Sequence, residues 1–249
     1  MKRTKFHISW LLASVLVLVS GLAQAQSEQY QAGLHYTEIE GAPAVPTGPI
    51  QLTEAFSYLC THCNTFEPYI NSWKKRKPEN VEFRRIPIVF GRSAWELYAR
   101  GYVTAQTMGI GDDAHAAMMD RIWNEKAVMR SMDELAEFYS DFGVSPDAFL
   151  ATSQSFAVDA KMRKDQRLAM SWQIKGTPSL VLNGKYRIEG NSAVPSYDVM
   201  LDVVDFLIQK ETTAALKYAA ENAEAEEAAV NTALESETTA AVAAEAEES

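Results

Sequence analysis

The feature that most narrows what this chain can fold into is an interruption. Between residues 93 and 174 the sequence carries helix signatures and almost no strand pattern, yet strand patterns lie on both sides of that stretch. Helices are expected over 93–108, 112–126, 132–142, 146–154 and 156–173. Asp112-Asp113, Ser131 with Glu134 three residues on, and Ser145-Pro146 are start signals, because a short polar side chain can accept from a free amide of the first turn and proline fits the first helical position. Ahead of the block, a short strand is expected at 36–39, a loop rich in Pro and Gly at 41–49, strands at 50–58 and 81–89, and a helix over about 61–77 broken near Pro68. After it, residues 179–188 read as two short strands around Asn183-Gly184, a strong hairpin signal because a two-residue turn of that kind needs positive φ at both positions. An amphipathic helix is expected over 196–209. The order describes an α/β fold: a small mixed sheet, helices on both faces, and an all-helical domain inserted between its halves.

The first 25 residues have a basic start (Lys2, Arg3, Lys5), an apolar run from about Ile8 to Leu22, and Ala23-Gln24-Ala25. That pattern reads as a secretory signal peptide cut after Ala25. The run is shorter than the roughly 20 residues a spanning helix needs. The expected place of work is therefore outside the cytosol, where disulfides form and persist. The formal charge of -10 is concentrated at the other end, where ten Glu against one Lys (Lys217) follow Lys210. The body is nearly balanced and carries no basic footprint for nucleic acid. The expected organisation is a signal peptide over 1–25, the two halves of the sheet domain over 26–91 and 174–210, the helical insert over 92–173, and an acidic tail over 211–249 that is disordered or loosely helical.

The only two cysteines stand three apart in Phe56-Ser57-Tyr58-Leu59-Cys60-Thr61-His62-Cys63-Asn64. As a brace they would be poor: a loop of about four residues stabilises by roughly 2 kcal/mol on the chain-entropy model, against roughly 3 for a 15-residue loop. A zinc site takes about four ligands, and Cys60, His62 and Cys63 are three at most. A haem attachment needs histidine after the second cysteine, and Asn64 stands there. Exchange chemistry fits better. A thiol where a strand gives way to a helix meets unpaired amides and the positive end of the helix dipole, which favour its thiolate. Cys60 is then the nucleophile, Cys63 one turn further in resolves the mixed disulfide, and His62 adds a positive or hydrogen-bonding influence.

A CxxC at a strand-to-helix junction in an exported protein resembles the thioredoxin superfamily. The helical insert, the Cys-x-His-Cys centre and Lys175-Gly176-Thr177-Pro178-Ser179 ahead of a strand resemble its DsbA-type periplasmic thiol:disulfide oxidoreductases, over about residues 28 to 210. Tyr30, Gly33 and Tyr36 are spaced like the start of the mature DsbA chain, and Pro68 matches the kink proline of the superfamily's active-site helix. The resemblance implies a thioredoxin fold with an inserted helical domain. It implies that Pro178 is a cis-proline facing the cysteines, that the Thr177 backbone pairs with an extended substrate strand, and that Glu54 is the buried carboxylate serving Cys63. Thr61 stands where the family commonly has proline, and Thr177 where some oxidases have valine; both positions bear on redox strength.

The expected function is oxidation of cysteine pairs in secreted proteins by a Cys60–Cys63 disulfide, with no cofactor beyond that disulfide and no metal. The implied partners are folding proteins with free thiols and a membrane reoxidant of the DsbB kind that passes electrons to quinone; the chain is expected to be a monomer. The alternatives are an isomerase or reductase of the same fold, and a chaperone-like binding protein with an incidental disulfide. Against an isomerase, the roughly 24 residues between Ala25 and the first main strand are too few for the extra dimerisation domain of known periplasmic isomerases.

Overall fold

The computed structural model describes residues 29–42 and 48–247; the expected signal peptide and part of the 41–49 loop lie outside them. In chain order the elements are β1 (Thr37–Glu38), β2 (Ile50–Phe56), α1 (Thr61–Arg76), β3 (Val81–Pro87), α2 (Ser93–Thr107), α3 (Gly111–Trp123), α4 (Met132–Ser140), α5 (Pro146–Ser153), α6 (Phe156–Ser171), β4 (Ser179–Leu182), β5 (Tyr186–Ile188) and α7 (Tyr197–Glu247). The five strands form one mixed sheet, β1-β5-β4-β2-β3. β2 runs parallel to β3 and antiparallel to β4, so α1 is the crossover of the parallel pair.

β2 is central, and all its residues except Gln51 are buried. Side chains alternate across a strand, so Leu52, Glu54 and Phe56 share one face while Thr53 and Ala55 share the other. Leu52 joins a core with Phe66, Ile70 and Trp73 of α1 and Val203, Val204 and Leu207 of α7. Ala55 packs with Ile86, Val181 and Trp172 on the opposite face, against Leu168 and Ala169 of α6. Phe56 enters a third core built mostly from the insert, including Tyr98, Tyr102, Met118, Leu135, Tyr139 and Phe149, and both cysteines belong to it. Fully burying one such side chain contributes roughly 1.5–3 kcal/mol.

The insert's caps follow from its serines. Ser131, Ser145 and Ser155 accept from the backbone amides of Glu134, Ala148 and Val158 at 3.1, 3.2 and 3.3 Å. α3 begins at Gly111, one residue before the expected Asp112, so both aspartates fall in its first turn and face its positive end. The hairpin turn is as the Asn-Gly signal requires, with φ of 54° at Asn183 and 65° at Gly184.

Two expectations are corrected here. α1 is not broken near Pro68: the proline lies inside one helix. It removes the amide that would bond the Asn64 carbonyl, but the buried stripe Phe66, Ile70 and Trp73 holds the helix against the sheet. The body also does not end at Lys210. α7 continues to Glu247, and Glu211 is buried, accepting from Asn183 Nδ2 at 3.0 Å, Lys185 Nζ at 2.8 Å and Tyr186 Oη at 3.0 Å. The first residue assigned to the tail therefore fastens α7 to the hairpin, while residues 216–226 are exposed.

Candidate active site

The sheet delivers Cys60 to a helix start. After β2 the chain turns through Ser57, Tyr58 and Leu59, and the Cys60 amide donates to the Ser57 carbonyl at 3.1 Å. Cys60 is the N-cap of α1, with extended backbone (φ -95°, ψ 118°), and its carbonyl accepts the first intrahelical bond from Asn64 at 3.1 Å. Its side chain thus faces amides that have no helical acceptor. The Thr177–Pro178 bond is cis, and Cys60 Sγ lies 3.3 Å from the Thr177 carbonyl oxygen. The cis-proline loop therefore lies directly against the first thiol. Pro178 is buried and Thr177 half-buried.

The two thiols occupy opposed environments. Cys60 is lowered to about 5: the Cys63 thiol hydrogen bond is the largest cause, with further support from the Thr177 side chain and the amides of Cys63 and His62, against the opposing effect of burial. Cys63 is fully buried, and its thiol is pushed far up by burial, by its bond to Cys60 and by the nearby Glu54 carboxyl. At neutral pH the site holds a thiolate on Cys60 and a proton on Cys63. Thr61 is exposed at the first helical position, and its carbonyl accepts from Thr65 Oγ1 at 3.1 Å. The His62 side chain is exposed; its main chain meets the site, through the amide toward Cys60 and a carbonyl that accepts from Tyr197 Oη at 3.0 Å.

Beneath Cys63 lies a buried polar chain that the sequence reading did not assemble. Glu54 and Arg85 are register partners in β2 and β3, and Arg85 Nε donates to Glu54 Oε2 at 2.7 Å. Arg85 Nη2 also donates to both Glu67 oxygens at 3.2 Å. Glu67 lies four residues after Cys63, one turn along α1 on the same face. It accepts from Asn71 Nδ2 at 2.9 Å and meets His115 Nε2 of α3 at 3.2 Å, while His115 Nδ1 lies 3.1 Å from Tyr58 Oη. Trp123 Nε1 donates to the Tyr58 carbonyl at 2.9 Å, so α3 holds the active-site turn twice.

The charges follow from burial and neighbours. Burial raises the Glu54 carboxyl, with Arg85 opposing, and Glu54 Oε1 has no hydrogen-bond partner among the described residues. Burial also works against a charge on Glu67, but His115, Arg85 and Asn71 outweigh it and hold the carboxyl at about 2. Burial and the adjacent Arg85 lower His115 to about 4. A neutral imidazole suits both contacts: Nε2–H donates to Glu67, and Nδ1 accepts from the Tyr58 hydroxyl. The spacing of Glu67 from Cys63 was a usable sequence signal; nothing local marked Arg85 or His115.

The profile of the DSBA-like thioredoxin domain matches residues 51–202. The thiol:disulfide interchange protein DsbA of Pseudomonas aeruginosa is 37% identical over 210 residues, which cover 83% of this chain and 98% of that protein. The DsbA of Azotobacter vinelandii is 36% identical over 214 residues, covering 84% and 99%. The crystal structure of Pseudomonas aeruginosa DsbA superposes with a TM-score of 0.68 at 36% identity, covering 76% of this chain and 98% of that one. That of Xylella fastidiosa DsbA gives 0.68 at 33%, covering 74% and 98%. The likeness extends over nearly the whole length of these proteins, and the chain belongs to the DsbA family of thiol:disulfide oxidoreductases.

Proposed function

We propose that the Cys60–Cys63 pair is the redox centre and that its disulfide oxidises thiol pairs in exported proteins. A substrate thiolate attacks Cys60 Sγ of the oxidised protein, forming a substrate–Cys60 disulfide and breaking the bond to Cys63. Cys63 leaves with the electron pair and takes a proton, since its buried site disfavours a charge. Glu54, beside it with one free carboxyl oxygen, is placed to mediate that proton. The substrate's second thiolate then attacks its own sulfur in the mixed disulfide, and Cys60 departs as the stabilised thiolate. Two electrons pass from substrate to protein and one further proton goes to solvent.

The observation that carries this reading is the contrast between the thiols. A low-pKa sulfur is a fast leaving group, and each unit by which Cys60 is lowered favours the reduced protein by about 1.4 kcal/mol, or roughly 30 mV for a two-electron couple. The pair is therefore biased towards giving its disulfide away. The Thr177 backbone, against Cys60, would receive an extended substrate segment. A Proteus DsbA has been solved with a bound cysteine-containing peptide, which supports peptide binding in this fold.

The same reading places the protein in the periplasm after removal of residues 1–25, working as a monomer without added cofactor. A quinone-linked membrane protein of the DsbB kind would reoxidise it. Among the described residues, no helix is long and apolar enough to cross a membrane. The test is the equilibrium of the pair against glutathione buffers, with the Cys60 thiolate followed by ultraviolet absorbance. A potential well above the glutathione couple with an acidic Cys60 supports the oxidase. A thioredoxin-like potential with a near-neutral thiol moves the assignment to a reductase or isomerase.

A further inference from the structure

The start of α7 sets one hydroxyl on the backbone of the cysteine turn. Ser196 caps that helix: its Oγ accepts from the Val199 amide at 3.2 Å, and its carbonyl accepts from the Met200 amide at 3.0 Å. The cap fixes Tyr197 as the first helical residue. Its ring packs against Phe66 and Tyr69 of α1, with centroids 5.0 and 5.4 Å away. Held there, Tyr197 Oη donates to the His62 carbonyl at 3.0 Å. Among the described residues, Tyr197 is the one side chain from outside α1 that hydrogen-bonds the backbone of residues 60–63.

The His62 carbonyl and the Cys63 amide belong to one peptide group. A carbonyl oxygen has two lone pairs, so accepting from Tyr197 leaves one for the helix. A bond accepted at the oxygen polarises the group and strengthens the donor at its nitrogen, by roughly 10–30% where hydrogen bonds form a chain. With Cys60 as the N-cap of α1, Cys63 is the third helical residue. The amide at that position has no acceptor within the helix and serves the side chain of the cap, here Cys60 Sγ. It is one of the groups that favour the Cys60 thiolate. The hydroxyl of α7 is thus one peptide group away from the nucleophile.

We infer that Tyr197 is a positioning residue for the exchange reaction: through the peptide between His62 and Cys63, its hydroxyl strengthens the amide that supports the Cys60 thiolate, and so helps set how strongly the pair oxidises. This rests on the exchange reading above. A phenol suits the role. It is a stronger acid than water, so a water molecule entering in its place donates a weaker bond. Burial, and then the neighbouring Cys63 and Cys60, push its own ionisation up. It therefore remains a protonated donor across the range in which Cys60, at about 5, titrates. The ring contacts with Phe66 and Tyr69 do not need the hydroxyl, so its removal separates the bond from the packing.

The experiment titrates the Cys60 thiolate by ultraviolet absorbance in the reduced full-length protein and measures the equilibrium of the pair with glutathione. Wild type is compared with Tyr197→Phe and with Tyr197→3-fluorotyrosine. The first keeps the ring and removes the donor. Its Cys60 pKa should rise by roughly 0.2–0.6 unit, the stated share of a hydrogen bond to a charged group. Its equilibrium constant for oxidising glutathione should fall by the same factor, about 1.5- to fourfold. The fluorinated phenol is more acidic and donates more strongly, so both quantities should move the opposite way. Denaturant midpoints should stay near wild type in both. A Cys60 pKa unchanged in Tyr197→Phe overturns the inference. So do shifts of the same sign in the two variants, which would assign the effect to disturbed packing. A wild-type Cys60 that titrates like an ordinary thiol overturns the exchange reading itself, and it does so before any variant is made.

Discussion

His115 Nε2 stands 3.2 Å from Glu67 Oε2, so a side chain of the helical insert is bonded to the helix that carries both cysteines. The contact is buried, and its other end meets Tyr58 in the turn before Cys60. The insert therefore also braces the active-site turn.

His115→Ala should destabilise the protein by roughly 1–3 kcal/mol, because Tyr58 Oη loses its buried partner and Glu67 Oε2 is left with Arg85 alone. pH separates this loss from simple packing. The folded His115 titrates near 4 rather than its usual 6.5, so the unfolded chain binds the extra proton first as pH falls. Its stabilising effect is complete above about 6.5 and is lost as pH falls through about 4. Glu67 acts lower, between its ordinary 4.5 and about 2. Denaturant midpoints at pH 7 and pH 5 should therefore fall in wild type and change less in His115→Gln. Equal drops in both would remove the imidazole as the cause.

Glu54→Gln leaves Arg85 buried with only Glu67 as a charged partner. Breaking a buried pair costs roughly 3–5 kcal/mol, and the amide oxygen can still accept from Nε, so the lower end is expected. The Cys63 thiol, no longer beside that carboxyl, should titrate lower than in wild type. Stopped-flow measurement of Cys63 release should show its pH dependence altered. An unchanged profile with unchanged stability would take Glu54 out of the proton path.

Thr177→Val removes a side chain that supports the Cys60 thiolate while keeping its shape. The Cys60 pKa should rise and the protein become less oxidising, by roughly 30 mV per unit of rise. Absorbance titration of the thiolate together with a glutathione equilibrium decides it. A fall in pKa would show that the backbone contact, not the side chain, governs the loop's effect.

The low Cys60 pKa also predicts how the redox equilibrium moves with pH. Below about 5 the reduced protein carries both protons, and reduction by glutathione should be independent of pH. Above about 5, reduction leaves a thiolate and releases one proton, so the equilibrium should move toward the reduced form by up to about tenfold per pH unit until glutathione itself ionises. Redox titrations at pH 4, 6 and 7 should show the break. A flat response across that range would place the Cys60 pKa elsewhere.

Much of this was legible in the chain because it is local. The insert announced itself through serine caps at Ser131 and Ser145, the hairpin through Asn183-Gly184, and the site through two cysteines at a strand-to-helix junction. What was hidden depends on register and packing. Arg85 reads as an ordinary strand residue until β3 is set beside β2, which places it opposite Glu54. His115 reads as a helix residue until α3 is laid over α1. Pro68 carries a breaking signal that tertiary burial overrides. Glu211 reads as the first of many tail glutamates and differs only because the hairpin tip reaches it.

That last residue makes the tail testable in two cuts. Deleting residues 219–249 removes the far part of α7, in which residues 219–226 are exposed, and should change stability by less than about 0.5 kcal/mol, as for other surface changes. Deleting 211–249 also removes the carboxylate that bonds Asn183, Lys185 and Tyr186. Asn183 in turn accepts from the Gln51 amide at 2.8 Å at the start of β2, so the loss reaches the central strand. This shorter protein should lose roughly 3–5 kcal/mol, the cost of breaking a buried charged pair. Restoring residues 211–218 should recover the stability, and Glu211→Gln in the full chain should reproduce part of the loss. If both truncations unfold at the wild-type denaturant midpoint, the Glu211 contacts contribute nothing and the body ends at Lys210.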